Sequence, residues 1–262
     1  MNRASARVQA KLRLAIALLL FLAATCSAET GLAVTFRMTR YSIERSATTT
    51  PADAERSVVQ WEYPVMVGAR PAEFERLNGW LREKSVEVFA QCMSSRTDEL
   101  LKLSDKKLVN FLRSNPAFLA CEADQSLIEP AEAFGQYITF RRLSEYQGLA
   151  RPQHGIELLV FDLRSNKEAS MASLFKQSAL EALNGALVEV IERTRPSCHG
   201  RSFVWSQVSL RPPNRLFIEF PYNPTEWEAC GDGVESLSGQ SVSSQLRSAA
   251  ALRPARSLVE VR

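Results

Sequence analysis

The stretch GLARPQHGIELLVFDLRSNKEASMASLFKQSALEALNGALVEVIE, residues 148–192, is the longest in which every local signal agrees, and its reading decides the fold. Ile156, Leu158 and Val160 alternate with Leu159, Phe161 and Leu163, leaving Glu157 as the one polar side chain, so 156–163 reads as a strand covered on both faces. Arg164-Ser165-Asn166-Lys167 is a tight turn, because asparagine tolerates the left-handed backbone such turns use. From about Ser178 the period becomes helical. Leu180, Leu183, Leu187, Val190 and Ile191 fall on one stripe, Ser178 and Glu181 have capping-box spacing, and Pro196 stops the helix.

Upstream, residues 136–143 (QYITFRRL) form a strand that pairs with 156–163 across a 144–155 loop. Residues 33–45 alternate Val34, Phe36 and Met38 against Thr35, Arg37 and Thr39, which predicts a half-exposed strand. Residues 58–67 (VVQWEYPVMV) are a second strand, in which Pro64 demands an edge position or a bulge. Pro71 opens a helix with Phe74, Leu77, Leu81, Val88 and Cys92 on one stripe and Glu73 and Glu75 near its positive end. A second helix is expected over about 98–113, with Leu100, Leu101, Leu108, Phe111 and Leu112 apolar, Lys102, Lys106 and Lys107 solvated, and Asn115-Pro116 ending it. Downstream, 203–210 and 215–220 predict a hairpin around Arg211-Pro212-Pro213-Asn214. A loop over 221–233, a short helix near 241–248 and a final strand or tail at 256–262 complete the chain. Strands and helices do not alternate regularly, so the expected fold class is α+β: an antiparallel sheet packed by two or three helices and tied by disulfides. The expected divisions are a signal peptide (1–28), an N-terminal strand-helix half (29–130) and a C-terminal half (131–262), the last two able to form one compact domain.

Charge and cysteine usage bound the function. Arg3, Arg7, Lys11 and Arg13 precede the apolar run 14–24, and the small residues Ser27-Ala28 suit cleavage after Ala28, so the expected compartment is the periplasm. Leu22-Ala23-Ala24-Thr25-Cys26 is similar to a bacterial lipobox and offers the alternative of a lipid anchor on Cys26. Of 32 Lys+Arg and 29 Asp+Glu, the first 28 residues hold four basic and no acidic side chains. The remaining balance of 28 against 29 lacks the positive excess that nucleic-acid binding needs. Cys92, Cys121, Cys198 and Cys230 then form an even set in an exported chain, which predicts disulfides. Three pairings are open; Cys92–Cys121 and Cys198–Cys230 are preferred because each brackets one local unit, and each would add roughly 3–4 kcal/mol in the chain-entropy model. No CxxC occurs, and His154 and His199 are the only histidines, so neither a metal nor another cofactor is expected.

Several features together resemble the extracytoplasmic domains of the RsiV anti-sigma factor and of PdaC-type polysaccharide deacetylases. They are the Tyr63-Pro64 strand followed by a helix with Leu77-Asn78, the 148–152 loop, Phe161-Asp162-Leu163 with its turn, and Leu174-Phe175. The resemblance spans about 33–262. Such domains usually carry Gly-Ala-His before the proline, where this chain has Ala150-Arg151 with His154 further on. The resemblance implies an α+β sensor or accessory module, and the RsiV ectodomain binds lysozyme.

Motifs of nucleophilic or metal catalysis such as GxSxG, HExxH and the P-loop are lacking. Glu228 with Asp232, or either histidine, could do acid-base work on a glycan, but their settings suit surface turns better. Recognition is the expectation, with Tyr222 and Trp227 as aromatic anchors, Arg151 and His154 as polar contacts, and Arg141 and Arg142 either in a basic rim or as solvated positions. The expected function is a non-enzymatic envelope binding protein, with an inhibitor or immunity protein as one form of it. Its partner would be a lysozyme or other peptidoglycan hydrolase, or cell-wall glycan. The alternatives are an enzyme acting on cell-wall polysaccharide and a structural envelope lipoprotein.

Overall fold

The computed structural model describes residues 33–44, 58–68, 71–120, 123–147, 152–198, 200, 203–211, 215–220, 233–237, 240–247 and 255–261. Its central hairpin is the expected one, made longer. Strand β4 (Tyr137–Gln147) pairs with β5 (Pro152–Asp162) so that Ile138 faces Phe161 and Leu143 faces Ile156. Both strands run past the predicted ends, leaving 148–151 outside the described residues where a 144–155 loop was expected. Asn166 sits at φ 57°, as its place in the turn requires, and the short β6 (Lys167–Ala169) folds back on β5.

The covering of both faces is the organising fact of the fold. Leu159 and Phe161 enter one hydrophobic core and Val160 enters another. Likewise Ile138 and Phe140 of β4 belong to the first core and Tyr137 to the second. One sheet therefore separates two cores, because successive side chains of a strand point to opposite faces.

Among the described residues this sheet has eight strands. Seven run in the order β11-β1-β2-β3-β4-β5-β6, with β1 Val34–Glu44, β2 Val58–Val67, β3 Ala123–Phe134 and β11 Leu258–Glu260; β10 (Ala255–Arg256) attaches to β3. The expected α+β class is observed, but the sheet is mixed: β1–β11 and β2–β3 are parallel pairs. A separate antiparallel sheet joins β7 (Val208–Arg211), β8 (Arg215–Phe220) and β9 (Gly233–Leu237), the last falling partly in the expected loop.

Strand β3, ADQSLIEPAEAF, is the longest element that the sequence pattern missed, since it has no apolar alternation. Its backbone is specified by its neighbours: β4 on one side, β2 and then β10 on the other. Pro130 is accommodated by a register shift between Pro130 and Glu132. There the Thr139 hydroxyl accepts from Glu132 N at 3.1 Å and donates to Glu132 O at 3.3 Å, replacing ladder bonds with side-chain ones. The strand spans residues 130 and 131, so the sheet is continuous across the proposed boundary between the halves.

Pro64 needs no bulge, because β2 pairs with β1 in unbroken register from Val58 to Val67. On its other side β2 pairs with β3 only at 60–62, so beyond Glu62 that side is an edge. Met66 N there donates to Asn78 Oδ1 at 2.7 Å, and Asn78 Nδ2 returns a bond to Met66 O at 3.0 Å. Two residues earlier, the Pro64 nitrogen points the same way, where no ladder bond is lost.

Helix α1 (Pro71–Cys92) lies over this face, burying Leu77, Trp80, Leu81, Val88 and Phe89 in the first core. The single helix expected over 98–113 is instead α2 (Thr97–Leu101) and α3 (Asp105–Ser114), with α4 (Pro116–Leu119) after them. The break has a cause. The Asp105 carboxylate accepts from Arg82 Nε (2.7 Å), Tyr63 Oη (2.5 Å) and Tyr41 Oη (3.3 Å), while Arg82 also binds the carbonyls of Leu101 and Leu103. The carbonyls left open where α2 ends are thus capped by a side chain from α1. Burial first, and then Asp105, hold the Tyr63 hydroxyl well above its ordinary pKa. Phe111, expected in the stripe, is 37% exposed, and Val109 packs in the core with Leu108 and Leu112.

On the opposite face α5 (Gln177–Thr194) buries Ala179, Leu183, Leu187, Val190 and Ile191. Its cap is Lys176, without a side-chain bond, so the Ser178 capping box is not used. Lys176 N donates to Gln245 O at 2.8 Å, just past the bridge of Phe175 to Leu246. That contact with the end of α6 (Gln240–Gln245) keeps the chain extended to residue 176. Gly185 lies inside α5, and apart from its own helix backbone no described residue comes within 4 Å of an added Cβ. Gly185→Ala should therefore raise unfolding stability by about 0.5–1 kcal/mol, measured by chemical denaturation; destabilisation would show that the helix packs more tightly there than the geometry indicates.

Candidate functional site

Residues 76, 79, 80 and 83 of α1 follow helical spacing and line one stripe, which faces β5 and the turn into β6. Between them is a cleft of about 590 Å³ lined by Arg76, Gly79, Trp80, Glu83, Phe161, Lys167 and Glu168. Its floor is aromatic. Trp80 packs on Phe161 with ring centroids 5.1 Å apart and on Phe140 at 6.0 Å. The Trp80 indole N–H donates to Glu168 Oε2 at 3.0 Å. Register places Glu168 there, since β6 pairs Phe161 with Glu168 directly after the Asn166 turn.

Behind the floor an ionic chain fixes the walls. Lys84 Nζ lies 3.2 Å from Glu168 Oε2 and 3.3 Å from Glu87 Oε1. Arg142 reaches across from β4 to Glu87 at 2.6 Å and also pairs with Glu157. Burial works against the Lys84 ammonium, but Glu87 and Glu168 outweigh it and hold its pKa above the ordinary lysine value. Glu168 is thus committed to partners. Arg76, Glu83 and Lys167 are exposed, and none has an ion pair among the described residues.

Arg141 and Arg142 form no basic rim. Adjacent on β4, they point to opposite faces and tie the sheet to the layer on each side. Arg142 meets α1, as above. Arg141 Nε meets Glu219 Oε2 of β8 at 2.9 Å, and Glu219 also accepts from Arg211 Nη2 of β7 at 2.7 Å. The Glu219 side chain is 3% exposed.

Of the residues expected to recognise a partner, only His154 falls among the described residues. Arg151, Tyr222 and Trp227 lie outside the described residues, as do Cys26, His199, Glu228 and Asp232. His154 stands opposite Glu145 in the β4–β5 ladder and is described by its backbone alone. Cys92 ends α1 and Cys198 is fully buried in the second core; neither is a free thiol. Cys121 and Cys230 fall outside the described residues. Among the described residues, no three His, Cys, Asp or Glu side chains are grouped to hold a metal, and no helix is long and apolar enough to cross a membrane.

No family model matches the sequence, and no curated protein matches it. Solved structures do. A member of the DUF3298 family from Bacteroides fragilis NCTC 9343 superposes with a TM-score of 0.55 at 12% identity, covering 82% of this chain and 94% of that one. A DUF3298 family protein from Pseudomonas aeruginosa PAO1 gives 0.53 at 11% identity, with 84% and 97% covered. At identities this low the likeness is one of fold: the chain has an α+β architecture similar to that of these two DUF3298 proteins.

Proposed function

We propose that this protein is a non-enzymatic binding module of the cell envelope that engages its ligand through the cleft between α1 and β6. The observation that carries the reading is the lining itself. An aromatic floor is backed by ionic ties, while charges of both signs at the rim have no ion pair among the described residues, the mixture expected of a recognition site. No serine, threonine, cysteine or histidine lies among the described lining residues to serve as nucleophile or base. Glu83 and Glu168 match a glycosidase pair in composition only, because Glu168 is already engaged by Lys84 and the Trp80 indole.

In this proposal residues 1–28 direct export to the periplasm, and Cys92–Cys121 and Cys198–Cys230 are the disulfides. The resemblance to RsiV-type extracytoplasmic domains supports a partner among lysozymes or other cell-wall-degrading enzymes, which the module binds or inhibits. Calorimetry of the purified protein against a panel of such hydrolases tests this, with Gly79→Phe as the control. Gly79 has open space before it, so a ring there fills the cleft while the helix is kept. The expected result is one-to-one binding to a panel member, weakened at least tenfold by the added ring. A panel without a binder, or binding indifferent to Gly79→Phe, would sink the proposal, and release of soluble product from peptidoglycan by the protein alone would make it an enzyme.

A further inference from the structure

We infer that the cleft accepts a short zwitterion with an ammonium at one end and a carboxylate at the other, as presented by a short peptide with free termini. This rests on the reading of the cleft as the recognition site and names the chemistry it selects. Of the four charged residues lining it, Glu168 already has Lys84 and the Trp80 indole as partners. Arg76 and Lys167 remain as cations without a described counter-ion, and Glu83 as an anion without one. Two unmet cations call for a carboxylate, which a guanidinium can grip with two parallel N–H bonds. The unmet carboxylate calls for a donor, and an ammonium is the strongest available.

The arrangement also sets polarity and size. Arg76 and Glu83 lie seven residues apart on α1, one turn to either side of the Gly79-Trp80 pair, so their backbones are separated by about 10 Å along the axis. Their long side chains can close on the two ends of a ligand lying along the helix. Between them the Gly79 backbone leaves room, and Trp80 over Phe161 offers an apolar surface for a side chain. A volume of about 590 Å³ lies inside the range of small-ligand sites, roughly 300–1,000 Å³, and suits a di- or tripeptide rather than a single small ion.

The probe is the tripeptide Ala-Phe-Ala with free termini, compared with its C-amidated and N-acetylated forms by calorimetry and chemical-shift titration. The free peptide should bind, with amidation and acetylation each weakening it by about tenfold, as loss of a charge-assisted bond does. Arg76→Gln together with Lys167→Gln should erase the penalty for amidation, and Glu83→Gln the penalty for acetylation. These residues are exposed, so the fold tolerates the changes. Equal affinity for all three peptides, or no binding of any, overturns the inference. If no peptide binds while a hydrolase still binds in a manner sensitive to Gly79→Phe, the charge assignment fails and the cleft reading stands. If peptides bind and no hydrolase does, the partner proposal fails and the zwitterion site stands.

Discussion

Glu219→Ala is expected to lower the unfolding free energy by about 3 kcal/mol, near the lower end of the cost of breaking a buried ion pair. The carboxylate is almost wholly buried and accepts from guanidinium groups on two different sheets, Arg141 of β4 and Arg211 of β7. Removing it leaves two cations facing each other, with Glu129 3.9 Å from Arg141 as the nearest described replacement. Both arginines are about one-third exposed (34% and 31%) and can turn toward water, which keeps the cost from reaching the upper end. Glu219→Gln retains shape and one acceptor, and should cost less than half as much. The comparison is a pair of urea denaturation curves with equal slopes. A loss below 1 kcal/mol for alanine would mean that the second sheet is held by its apolar side chains, among them Val208, Leu210, Leu216 and Ile218.

Trp61→Ala should cost about 3–5 kcal/mol, as large-to-small changes of buried aromatics do. Trp61 is fully buried, stacks on Tyr41 at 5.0 Å, and meets Tyr63 at 5.6 Å and Phe89 edge-on at 5.8 Å. Its indole N–H donates to Ser85 Oγ at 3.0 Å, and that hydroxyl donates onward to Arg82 O at 2.8 Å. Alanine opens a cavity between β2 and α1 and at the same time removes the indole N–H that donates to Ser85 Oγ. Trp61→Phe restores most of the ring and should recover more than half of the loss; equal losses for the two variants would place the energy in the hydrogen bond instead of the packing.

The legible part of the fold is the part where a local pattern has one physical meaning. Residues 156–163 alternate two sets of apolar side chains, and Val160 of one set and Leu159 and Phe161 of the other lie in separate cores; Asn166 lies in the backbone region that its turn implied. Strand β3 was invisible because its partners, not its side chains, make it a strand, and because Thr139 on the neighbouring strand compensates for Pro130. The break between α2 and α3 depends on Tyr41, Tyr63 and Arg82 converging on Asp105 from distant positions. Ser104-Asp105 does have the look of a helix start, and was the signal that could have revealed it. The cleft is assembled from a helical stripe and a three-residue strand 88 positions away, joined by Trp80 and Glu168, so no window of sequence contains it. Arg141 and Arg142 resembled a surface pair because alternation in a strand covered on both faces sends even adjacent charges inward.

Residues 255–261 leave a consequence for how the molecule is made. They pair with β3 and then lie alongside β1, where Val34 N donates to Ser257 O and Val261 N to Phe36 O. During synthesis the outer edge of β1 therefore waits, bare, for more than two hundred residues to follow it. A long-range parallel pairing of this kind is slow to form, and an unpaired strand edge is an invitation to other chains. Nascent or truncated forms lacking 255–261 should be the ones that stick to one another, and a holding chaperone would find its substrate at that edge.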